Sequence, residues 1–254
     1  MFLPSFDFFL AAVPAVVLVG LSKGGLGGAL ALMGVPLMAL VVGPVEAAAI
    51  FLPILIMMDL VALWAWRKHN DRRTLMMILP GGIVGIALGW ATSAMVSADA
   101  LRVVIALATI LFALRYFHQK WRKPDARDTP PAPHRPAAAG FWGMLSGYAS
   151  FVAHAGGPPF QIYVMPMRLD PRAYTGASVR FFALVNAVKV VPYVALGAFD
   201  GRNLTASATL LPVAFLATMA GAALVRRMRI ELFYPLMYAL ALAAGLKLLW
   251  DGLA

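Results

Sequence analysis

The sequence predicts an all-α polytopic membrane protein made of two inverted five-segment repeats, each a glycine-broken helical hairpin followed by three spanning helices. Three observations predict it. Hydrophobic residues make up 62% of the 254 residues and charged residues 13%, far from the balance of a soluble domain. The apolar stretches have the length of helical spans and lack the ten-residue alternation of a membrane barrel. Finally, glycine-rich breaks interrupt apolar sequence twice, at Ser22-Lys23-Gly24-Gly25-Leu26-Gly27-Gly28 and at His154-Ala155-Gly156-Gly157-Pro158-Pro159. Lipid offers no hydrogen bonds to the backbone groups such breaks release, so they persist where protein or a wet cavity receives them. Matched breaks, one per half, are the arrangement by which secondary transporters frame a substrate.

The repeat supports this division. One register places Gly43-Pro44 on Asp170-Pro171, Gly20 on Gly147 and Asp59 on Asn186. After a short gap a second register pairs Pro80 with Pro212, Gly89 with Gly221, Asp99 with Glu231 and Arg115 with Lys247. The first repeat, 1–120, contains a hairpin with arms 6–20 and 25–42, then helices 45–66, 74–96 and 99–119. A Pro-rich polar linker, 121–139, separates it from the second repeat, 140–254, with hairpin arms 140–152 and 157–168 and helices 172–198, 204–225 and 231–250. The hairpin arms are short for a hydrocarbon core of about 30 Å, which places their tips inside the membrane.

Charge sets the topology. The net charge of +10 comes mainly from basic clusters between apolar segments, at 67–73, 115–135 and 226–229, so it reads as positive-inside bias and not as a nucleic-acid surface. These loops share the cytoplasmic side only if each hairpin returns to the side it entered from. Both termini then lie outside, in a multi-pass bacterial inner-membrane protein. The odd number of segments per half inverts one repeat relative to the other. Trp64, Trp66 and Trp250 suit the interface. The first twenty residues have neither a basic leader nor a cleavage site and read as mature sequence. With no cysteine, disulfides and thiolate chemistry are excluded.

Few ionisable residues fall at membrane depth. Lys23 faces either a cavity or, through snorkelling, an interface. Beside it, Gly24 and Gly25 lead into helix 25–42, whose N-terminal amides would attract an anion. His154, at the matching place before Gly156 and Gly157, is either an anion donor or proton carrier, or a cap that fills the break. Arg180 is an oxyanion ligand or a structural partner of Asp59 or of a half-helix C-terminus. Lys189, nine positions on, points the other way and is the weaker candidate. Asp59, with its repeat partner Asn186, is a coupling or gating group or the acid of a salt bridge to Lys189 or Arg180. Gln161, Tyr163 and Ser22 are neutral donors. Gly81-x3-Gly85-x3-Gly89 is a helix-packing face, and the glycines around Lys23 lack the order of a phosphate loop. No His, Glu and Asp have metal-ligand spacing, so neither metal, cofactor nor catalytic residue is expected. The apolar surface neither requires nor excludes a homodimer.

The same residues resemble the TauE/SafE (TSUP) family of sulfite exporters over almost the whole chain. In each half a glycine pair is followed by a proline (Gly27-Gly28 and Pro36; Gly156-Gly157 and Pro166), and the next helix starts at Gly43-Pro44 or Asp170-Pro171. The resemblance implies transport of sulfur-containing anions such as sulfite, sulfoacetate or other organosulfonates across a bacterial membrane. His154 before only two glycines departs from the glycine-richer family pattern. The expected function is a secondary transporter with its anion held between the hairpin tips by Lys23, half-helix N-termini and His154 or Arg180. Its driving force would be an ion gradient, with proton coupling through His154 or Asp59, or the anion's own gradient. An anion channel is the alternative within transport. An intramembrane enzyme would need a catalytic set that His154 and Asp59 do not make, and a purely structural subunit would need carboxylates for the buried cations.

Overall fold

The computed structural model describes residues 6–28, 30–92, 95–122, 130–195 and 201–253, with side chains at all of these except 44, 45, 48, 190–195, 201 and 202. Among the described residues all regular structure is helical. Helix α1 (Phe6–Leu21) runs into a π-helical turn, Ser22–Leu26. A 3₁₀ turn, Leu30–Met33, precedes the short α2 (Gly34–Met38). Then come α3 (Pro44–Ala65), α4 (Arg72–Thr92) and α5 (Ala98–Arg122). The second half contains α6 (Pro136–Ala153), α7 (Gly157–Val164) with a 3₁₀ extension Met165–Met167, α8 (Pro171–Ala195), α9 (Gly201–Arg227) and α10 (Ile230–Leu253). Proline opens α3, α6 and α7 in the first turn, where its missing N–H has no helical partner to lose.

Among the described residues five segments are long and apolar enough to cross a membrane: Phe6–Leu26, α4, α5, Asn203–Arg227 and α10. The protein is therefore an all-α polytopic membrane protein. The two remaining long helices, α3 with 22 residues and α8 with 25, extend about 33 and 38 Å at 1.5 Å per residue. They carry Asp59 and the polar residues Arg180, Asn186 and Lys189, and they pack on each other in the interior. Around them α1 packs on α9 and α4 on α6, α3 also meets α9 and α8 meets α4, and α5 lies along α10.

Glycine allows the closest of these contacts. Gly81, Gly85 and Gly89 of α4 face Gly140, Met144 and Phe151 of α6, the packing role their spacing predicts. A β-carbon on Gly85 would collide with the Met144 carbonyl, and one on Gly147 with the Gly82 carbonyl.

The element bounds depart from expectation in one important place. The arm expected as helix 25–42 is a π turn, an irregular step, a 3₁₀ turn and a five-residue helix. Glycine at 24, 25, 27, 28 and 34 gives the backbone too little reason to stay helical, and Pro36 supplies no N–H for the ladder. In addition, α5 continues to Arg122 and α6 begins at Pro136, which shortens the linker from both sides. The expected start of the chain at 1–5, the residues 93–94 of helix 74–96, the linker stretch 123–129 and the expected helix end at 196–198 lie outside the described residues.

The basic segments gather at one end of the bundle. Arg180 reaches carbonyls at the end of α3, Arg226 donates to Ala65 O, and Arg172 donates to Arg226 O at 3.1 Å. The second hairpin starts and finishes there: the Ala132 amide before α6 donates to Pro166 O after α7 at 3.0 Å. At the other end Ser207 Oγ of α9 donates to Ile50 O of α3 at 2.8 Å, and Gly252 lies against Asp99 O. Phe8 and Met38, from the two arms of the first hairpin, share a core cluster with Ile50 and Leu210 at that end.

Candidate functional site

The two breaks are stabilised by side chains that receive the backbone groups they release. In the first, Gly25 (φ 144°) and Gly27 (φ 79°) adopt conformations that a side chain would strain. The Gly24 carbonyl accepts the Trp66 indole N–H at 2.9 Å, and Gly27 O accepts the Ser22 hydroxyl. In the second, His154 takes the left-handed conformation (φ 53°) that ends α6, and the His154 and Ala155 amides both reach back to Ala149 O, the latter at 3.0 Å. Ser146 Oγ donates to Gly156 O at 2.6 Å. This is irregular backbone sheltered by protein, the condition under which it survives at membrane depth. The tips meet directly, since a β-carbon on Gly28 would stand 3.1 Å from Gly157 Cα.

A cavity of about 140 Å³ opens where the tips meet α3 and α8. Four ionisable side chains line it among the described residues: Lys23, Asp59, His154 and Lys189. Lys23 Nζ donates to Asp59 Oδ1 at 2.6 Å, and Asn186 Nδ2 donates to Asp59 Oδ2 at 2.6 Å. Both oxygens of the carboxylate therefore have donors, and the pair is well buried, with side-chain exposures of 15% for Lys23 and 8% for Asp59. Lys189, 5% exposed, donates to Ser150 O at 2.6 Å and to Ser150 Oγ at 3.1 Å. Thr175, at 1% exposure, has a hydroxyl without a hydrogen-bond partner among the described residues. The chemistry on offer is electrostatic: two ammonium groups against one carboxylate, with neutral donors beside them.

Most of the expected residues converge here. Lys23, Gly25, His154, Gly156, Gly157, Asp59 and Asn186 line the cavity, where Lys23 pairs with Asp59. Gly24 does not line it. Its α-carbon packs on α9, where a β-carbon would stand 2.7 Å from the Ala222 nitrogen. Gln161 is 2% exposed, and its amide nitrogen would stand 2.7 Å from a β-carbon on Gly27, behind the tip and off the lining. With helix 25–42 broken, the helix N-terminus expected directly after Lys23 is absent among the described residues, whereas that of α7, at Gly157, lines the cavity.

Arg180 is outside the cavity lining. Its guanidinium donates to His69 O at 2.7 Å, Gly176 O at 2.9 Å, Arg67 O at 3.1 Å and Trp66 O at 3.2 Å, which makes it a clamp on the C-terminal end of α3. The weaker candidate, Lys189, occupies the cavity, and Asp59 takes Lys23 as its partner, not Lys189 or Arg180. Ser150, Thr175 and Ser178 were not singled out by sequence reasoning and also line the cavity. Two signals could have found them. Ser150 occupies the place of Lys23 in the register that pairs Gly20 with Gly147, and Thr175, Ser178, Phe182, Asn186 and Lys189 form one stripe of α8 at helical spacing.

Comparison with known proteins bears on this geometry. The sulfite exporter TauE/SafE family profile matches residues 12–248, which includes every residue of the cavity. No curated protein and no solved structure matches the chain. The family match spans both hairpins, the central pair α3 and α8 and the outer helices, and the chain belongs to the sulfite exporter TauE/SafE family of membrane transporters.

Proposed function

We propose that the chain is a secondary transporter of small sulfur-containing anions, which bind between the two hairpin tips and cross by alternating access of one repeat against the other. One observation carries this reading: the two glycine breaks meet at one cavity whose ionisable lining, among the described residues, is Lys23, Lys189 and His154 with one carboxylate, Asp59. Two ammonium groups against one carboxylate leave one buried positive charge without a counter-charge among the described residues, and an anion is the partner that would offset it. The packing supports the repeats, because exchanging α1–α5 for α6–α10 turns the contact of α1 with α9 into that of α6 with α4, and the contact of α3 with α9 into that of α8 with α4. The hydrogen bond between Asp59 and Asn186, partners in the repeat, fits a twofold axis passing between them. The gathering of Arg67, Arg172, Arg180 and Arg226 at one end supports a cytoplasmic assignment for that end and an outside location for both termini.

The test is uptake of labelled sulfite and of a labelled organosulfonate into liposomes containing the purified protein. Uptake should saturate and should accelerate when unlabelled anion is supplied on the opposite side. Flux that rises linearly with concentration and ignores the opposite side would identify a channel. Absence of uptake for every sulfur-containing anion, by protein of intact fold, would reject the proposal.

A further inference from the structure

The two ammonium groups of the cavity are not equivalent. Lys23 is neutralised by Asp59 at 2.6 Å, and the remaining carboxylate oxygen is occupied by Asn186. Lys189 has no ion-pair partner among the described residues; two of its three N–H donors go to the Ser150 carbonyl and hydroxyl. Among the described residues the titratable groups facing the cavity are Lys23, Asp59, His154 and Lys189, and with a neutral imidazole they sum to a single positive charge. Much of the remaining wall is apolar, including Val35, Phe51, Leu55 and Phe182. The cavity, about 140 Å³, compares with an apolar cavity of about 150 Å³ that accepts benzene. A bare trioxyanion would leave that apolar wall without contacts.

We infer that Lys189 is the cation that pairs with the transported anion, and that the site selects singly charged anions carrying a short apolar group over doubly charged ones. This inference rests on the proposed anion transport. The unused Lys189 N–H supplies a hydrogen bond to the anionic head. Asp59 sets the net charge: a second negative charge on the substrate would be buried without a cation of its own, because Lys23 is already paired.

The test is calorimetric binding of ethanesulfonate and of sulfate to the purified full-length protein in detergent, for the wild type and for Lys189→Gln, Lys189→Arg and Asp59→Asn. The wild type should bind ethanesulfonate at least about tenfold more tightly than sulfate. Lys189→Gln should weaken ethanesulfonate at least about tenfold, the loss of one charge-assisted contact, and Lys189→Arg should restore most of it. Asp59→Asn, which leaves Lys23 uncompensated, should shift the preference toward sulfate. Equal or tighter binding of sulfate by the wild type would overturn the inference without any variant, and so would undiminished ethanesulfonate binding in Lys189→Gln. Binding of neither anion by the folded wild type would instead overturn the proposed function on which the inference rests.

Discussion

Asp59→Ala is expected to destabilise the protein by about 3–5 kcal/mol, the cost of removing one partner from a buried ion pair. The substitution strands the Lys23 ammonium, 15% exposed, beside a glycine-rich backbone whose carbonyls are already engaged by Trp66 and Ser22. It also leaves the Asn186 amide without its acceptor. Most of the loss reflects the uncompensated charge and not the net worth of the pair, so replacing both residues with apolar ones, Lys23→Met with Asp59→Leu, should recover much of it. Thermal unfolding of the single and double variants in detergent checks this. A double variant no more stable than Asp59→Ala alone would show that the pair does not account for the effect.

Arg180→Ala should cost on the order of 3 kcal/mol of stability while leaving anion binding by the folded fraction within about twofold of wild type. The guanidinium is the shared donor for the carbonyls of Trp66, Arg67 and His69, which follow the last full turn of α3, and it ties them to Gly176 of α8. A helix C-terminus leaves several carbonyls without internal partners, and here one planar cation serves three of them. A drop in thermal stability with binding preserved is the signature of this clamp. Binding lost at unchanged stability would return Arg180 to the role of anion ligand.

Composition and periodicity made the class of fold legible, because spans of this length and apolarity have few other solutions and because glycine breaks at matched positions mark the tips. The irregular backbone around Gly25 and Gly27 was less so. Local propensity there is weak, and its conformation depends on what α7, α8, α9 and α10 offer: Thr175 and Val225 around Gly25, Met237 and Gln161 around Gly27. Within the site, Lys23, Asp59, His154 and Asn186 were legible as ionisable or polar residues at depth and as repeat partners. The choice between Arg180 and Lys189 was not, since helical angle separates their faces without saying which one is inward. The stripe from Thr175 to Lys189 resolves it once Asn186 is taken as the reference, because Arg180 falls off that stripe. Which acid would pair with which base depended on contacts between the turn Ser22–Leu26, α3 and α8 that no local pattern encodes.

The central claim is that the cavity between the hairpin tips holds the anion, and the absence of native cysteine permits a direct test. Ser178 lines the cavity on α8 and is half-buried, and Ser178→Cys would carry the only thiol in the chain. The measurement is the rate at which N-methylmaleimide modifies that thiol in the purified protein, with and without ethanesulfonate at concentrations that saturate uptake. The account predicts that the anion slows modification in proportion to its occupancy. Modification at the same rate with and without the saturating anion would contradict it and move the transport site elsewhere in the protein.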